Sequence, residues 1–73
     1  MSLQFNVYRR TRNSAQGKLV DIHRQATPTP ERCAQRLLRS HNIINENQGF
    51  CVVYDGTKAV YKIAPELSSL KLR

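Results

Sequence analysis

The sequence predicts a small α+β domain in the order β-β-α-β-β, with a four-stranded, mainly antiparallel sheet and one helix packed on one face. Three observations carry this expectation. Apolar and polar residues alternate at the start of the chain, helical periodicity occupies its middle, and a turn-forming Asp55-Gly56 joins two β-rich runs near its end. One helix over one sheet is the simplest arrangement that buries all of these stripes.

In the first strand Leu3, Phe5 and Val7 alternate with Gln4, Asn6 and Tyr8, the period of a half-buried strand. A second strand is expected from Lys18 to Arg24, carrying Leu19, Val20 and Ile22. Residues 10–17 between them are polar and end on Gly17, so a hairpin with a long, basic, mobile loop is expected. The Thr27-Pro28-Thr29-Pro30 break leads into the helix. Thr29 can cap it, Pro30 suits its first position, and Glu31 suits the positive end of its dipole. At 100° per residue Cys33, Ala34, Leu37, Leu38 and His41 share one broad face, and Arg32, Arg36 and Arg39 share the opposite one. Asn42, Asn45 and Asn47 should end the helix, with Ile43 or Ile44 turned back to the core.

Gly49 opens the third strand, residues 50–54, and residues 58–63 return from the Asp55-Gly56 turn. A two-residue turn would pair Tyr54 with Thr57, Val52 with Ala59 and Phe50 with Tyr61. Cys51, Val53 and Val60 would then lie on the other face with Lys58 and Lys62. Both faces of this hairpin are apolar and one helix covers one of them. The sheet either curls on itself or meets a partner there. Residues 1–65 are expected to form the one domain, with 66–73 as a short C-terminal turn or flexible tail. A core of this size supports about 3–5 kcal/mol of net stability.

The chain of 73 residues carries a net charge of +7, from 12 basic and 5 acidic residues. Eight of those bases and only Asp21 and Glu31 fall in the first 39 residues, so the charge is concentrated there. A surface built from guanidinium groups predicts a polyanionic or acidic partner. The better candidate is Tyr8, Arg9, Arg10 and Arg12 at a strand end, with Lys18 and Arg24 across the hairpin. Three crowded guanidinium groups repel one another in the free protein, and a strand end has no structural need of them. Arg32, Arg36 and Arg39 form the second candidate surface, for which a merely solvated helix face is the competing explanation.

Chemistry of other kinds finds no constellation. His23, Cys33, His41 and Cys51 are evenly spread, without the paired spacing of a zinc site. Both cysteines sit in apolar patterns, the five carboxylates are scattered, and no glycine-rich phosphate loop exists. No enzyme, no metal and no cofactor are expected. No apolar run spans a bilayer and the first residues do not resemble a signal peptide. The expectation is a cytoplasmic protein with reduced thiols, a monomer when free.

In its length, its opening segment from Leu3 to Arg12 and its compact basic form, the chain resembles small bacteriophage-encoded inhibitors and antiterminators of bacterial RNA polymerase, of the Xanthomonas phage type. The resemblance implies a protein without catalytic residues that binds the large polymerase subunits, with nascent RNA or DNA nearby. It further implies interference with σ-dependent initiation and read-through of terminators. The alternatives from the residues alone are a small DNA- or RNA-binding module and an inhibitor of another acidic host protein.

Overall fold

A computed structural model describes residues 2–57 and 59–65. Its elements are β1 (Leu3–Thr11), β2 (Ser14–Gln25), α1 (Pro30–Ser40), a short 3₁₀ turn (Glu46–Gln48), β3 (Phe50–Asp55) and β4 (Val60–Ile63). The fold is α+β: one four-stranded sheet of order β2-β1-β3-β4, antiparallel at every ladder, with α1 on one face. Residues 66–73, where the short turn or tail was expected, lie outside the described residues.

Pleat parity decides which side chains meet the helix. Phe5 and Val7 of β1 stand beside Tyr54 and Val52 of β3, and all four are buried with Ala34 and Leu38 of α1. Leu3, Cys33, Leu37, Phe50 and Ile63 pack around that centre. Aromatic contacts extend it outward, since Tyr54 lies 5.1 Å from Phe5 and 5.3 Å from Tyr61 between ring centroids. Burial, and then the charge of Glu31 and the neighbouring Tyr61, raise the Tyr54 phenol above its usual range.

The helix begins and ends on local chemistry. Pro30 occupies its first turn as expected, but Thr29 makes no side-chain cap. Instead the Thr29 amide donates to Thr27 Oγ1 at 3.1 Å. At the other end Asn42 takes the left-handed conformation, φ 62°. The Ile43 amide then donates to the Leu38 carbonyl at 2.9 Å and the Asn42 amide to the Arg39 carbonyl at 2.9 Å, a Schellman motif. Its hydrophobic contact is Ile43 with Leu38, which selects Ile43 for the core and leaves Ile44 65% exposed. Asn45 then starts the 3₁₀ turn, accepting from the Asn47 amide at 2.7 Å while Gln48 Oε1 accepts from the Asn45 amide at 3.0 Å. His41, expected on the apolar face, is exposed and its Nε2 meets Asp21 Oδ2 on β2 at 2.8 Å.

Two connections differ from the sequence expectation. The stretch 10–17 is not a long mobile loop. β1 runs on to Thr11 and β2 starts at Ser14, so Arg12 and Asn13 alone make the turn. The extra residues are absorbed by an irregular ladder in which Gly17 has φ 95°, and a Cβ there would stand 2.8 Å from the Arg9 carbonyl oxygen. In the second hairpin β3 ends at Asp55 and β4 begins at Val60, with Tyr54 opposite Tyr61 and Val52 opposite Ile63, and Lys58 lies outside the described residues. The shift is an even number of residues, so the faces stay as expected although every pairing moves. Gly56 does not adopt positive φ. It is needed because a Cβ would run into the Tyr61 ring, while its amide donates to the Ala59 carbonyl at 2.7 Å.

These contacts rank two helix residues. Leu38→Ala is expected to cost about 2–5 kcal/mol, enough to leave much of so small a domain unfolded, whereas His41→Ala costs less than about 1 kcal/mol because its ion pair is solvated. Urea unfolding followed by circular dichroism measures both. Gly17→Ala is expected to lose about 1–3 kcal/mol by the same assay, because the strained backbone and the Arg9 carbonyl both oppose a side chain.

Candidate functional site

The face of the sheet turned away from α1 carries the even-numbered residues of β1 and the odd-numbered residues of β3, together with their cross-strand neighbours. One row across it reads Ile22, Asn6, Val53, Lys62, and the next reads Leu19, Tyr8, Cys51. Val60, opposite Asp55, extends it on β4. Leu19 joins this face because of a β-bulge. Val7 pairs with Asp21 and Tyr8 with Leu19, so Val20 is the extra residue and the alternation of β2 is reversed beyond it. On this face Leu19 is 42% and Ile22 54% exposed on the outer strand β2 and Val60 is 65% exposed on the outer strand β4, with Asn6 and half-buried Tyr8, Cys51 and Val53 between them.

Cations share this face. Arg24, opposite Gln4, donates from Nη2 to Gln4 Oε1 at 2.7 Å, which holds the guanidinium on the rim. Arg10 follows Tyr8 on the same face, and its amide donates to the Gly49 carbonyl at 2.7 Å, locking the strand end against the 3₁₀ turn. Arg10 and Lys62 line a common cavity of about 340 Å³ with Glu46, Phe50 and Cys51. Lys62 is close enough to Cys51 to oppose, without overcoming, the rise that burial imposes on that thiol. Burial likewise raises Cys33, against Arg36. Both cysteines are therefore thiols rather than reactive thiolates at neutral pH. Among the described residues no three His, Cys, Asp or Glu side chains gather as a metal site, and no helix is long and apolar enough to cross a membrane.

The structure divides the cluster that the sequence presents as one. Tyr8, Arg10 and Arg24 share the open face, with Tyr8 half-buried between its neighbours. Arg9 and Lys18 are cross-strand partners on the opposite face, and the Arg9 guanidinium lies 5.6 Å from the centre of the Phe50 ring. Arg12 is in the hairpin turn. Arg32, Arg36 and Arg39 are brought together as expected on the outer face of α1, around a depression that Gln35 also lines. Lys62, Ile22, Leu19 and Val60 were missing from the candidate contacts. Strand parity could have added Lys62, Ile22 and Val60, but only the bulge at Val20 reveals Leu19. No family model, curated protein or solved structure matches the chain.

Proposed function

We propose that the chain is a non-catalytic transcription regulator acting in the bacterial cytoplasm, which binds the large subunits of RNA polymerase through the open face of its sheet. By occupying that surface it inhibits σ-dependent initiation and permits read-through of terminators. The observation that supports a protein partner is the open face itself, where exposed Leu19, Ile22 and Val60 flank half-buried Tyr8, Cys51 and Val53, with Arg10, Arg24 and Lys62 on the same face. Exposed aliphatic side chains interspersed with cations suit burial against a protein, whereas bases need a stacking platform of aromatics, of which this face has only Tyr8. The choice of polymerase comes from the resemblance. The cations of this face fit an acidic partner surface and steer its approach.

Burying each exposed aliphatic residue contributes about 1.5–3 kcal/mol, so a charge placed there weakens binding by roughly tenfold or more. The test immobilises the protein and passes nuclease-treated Xanthomonas lysate at about 0.3 M salt, where distant charges are screened. The large polymerase subunits are expected to stay bound to the wild type and to be lost from Ile22→Asp/Val60→Asp. Purified polymerase should then show less transcription from a σ-dependent promoter and more read-through, with neither effect from the double variant. Retention of nucleic acid alone, of a different acidic protein alone, or of polymerase equally by both proteins would contradict the proposal.

A further inference from the structure

We propose that the outer face of α1 is a second, separate binding surface, a strip for the phosphodiester backbone of a nucleic acid. Arg32, Arg36 and Arg39 lie within a narrow sector of the helix and surround, with Gln35, a shallow depression of about 340 Å³. From Arg32 to Arg39 the helix rises about 10 Å, which is the axial rise of three nucleotides in one strand of a duplex.

The chemistry of this face separates its occupant from that of the sheet. The exposed residues of α1 are Glu31, Arg32, Arg36, Arg39 and Ser40, none of them apolar. Ala34 and Leu38 are buried, and Cys33 and Leu37 pack against the core. A protein interface needs an apolar centre, which this face lacks, whereas guanidinium and amide groups are the usual partners of phosphate oxygens. Glu31 precedes Arg32 and lies five residues before Arg36, near enough to Tyr54 for the phenol to feel its charge. Neither Arg32 nor Arg36 forms an ion pair with a described carboxylate. Gln35 Nε2 donates to the Ala64 carbonyl at 2.8 Å, tying the middle of the helix to the end of β4, so the strip is carried on a fixed scaffold. The open face of the sheet and the outer face of α1 lie on opposite sides of the core, leaving both surfaces accessible at once.

This assignment does not depend on the reading of the sheet face, and its test uses no polymerase. Anisotropy of a fluorescein-labelled DNA duplex of about 20 base pairs, measured between about 50 and 200 mM KCl, gives the slope of log affinity against log salt, near −0.9 per phosphate neutralised. The wild type is expected to bind with a negative slope, and Arg32→Gln/Arg36→Gln to lose about two units of it. Arg32→Lys/Arg36→Lys should keep the slope, because each lysine still neutralises a phosphate. Ile22→Asp/Val60→Asp, which tests the sheet face, should leave the slope difference between wild type and the glutamine pair unchanged. Absence of binding, an unchanged slope in the glutamine pair, or a slope that falls only on changing Arg10 and Arg24 would overturn the proposal. So would displacement of the duplex by poly-glutamate at equal charge concentration, which would make the strip an acidic-protein site.

Discussion

The packing of Leu38 and Ala34 against Phe5, Val7, Val52 and Tyr54 is the contact on which the rest of this domain depends. It joins α1 to the two central strands, and among the described residues no second helix closes the other side of the sheet. An 11-residue helix is about 16 Å long and shields one face only. The Schellman motif at Asn42 feeds Ile43 into the same core, so helix termination and core closure are one event. Among the described residues, Val53 and Cys51 of the central β3 on the opposite face are flanked by their neighbours within the sheet.

That constraint also partitions the charge. In sequence the arginines form one basic half. In three dimensions Arg10 and Arg24 border an apolar sheet face, Arg9 lies against Phe50 on the other, and Arg32, Arg36 and Arg39 form a polar strip on the helix. Equal charge thus serves unequal surroundings. Where guanidinium groups border aliphatic side chains, burial of apolar area supplies affinity and the charges supply orientation. Where they stand without apolar neighbours, counterion release is the available driving force. The bulge at Val20 and the flanking Lys18 and Arg24 also blunt the long outer edge of β2, which favours use of the face over uncontrolled edge pairing.

The order of elements along the chain, the helix position and the arginine strip were legible in the sequence because each rests on local periodicity, whereas the pairing of β1 with β3 that sets the sheet order is a long-range choice no linear pattern records. Ile43 against Ile44 was left open, because the choice depends on which residue takes the left-handed position, and that residue proved to be Asn42 rather than a glycine. The long loop expected over residues 10–17 was instead strand. Polar side chains there suit a solvated hairpin as well as a loop, and Gly17 relieves a ladder irregularity rather than forming the turn. Asp55-Gly56 marked a real hairpin but the wrong turn length, since packing of Tyr61 on Tyr54 sets the register from a distance. The candidate site was split for a similar reason. Sequence proximity joined Tyr8, Arg9, Arg10 and Arg12, while the pleat sends neighbouring side chains to opposite faces.

Contact of the open sheet face with a protein partner is the proposal on which the functional reading turns. Its most direct measure is amide hydrogen exchange of the domain, alone and saturated with Xanthomonas RNA polymerase core enzyme, with nucleic acid removed. Strong added protection is expected in β2 around Leu19–Ile22 and in β4 around Val60–Lys62, the two outer strands whose exposed aliphatic residues would be covered. Protection confined to α1, or exchange unchanged throughout the sheet, would contradict the account.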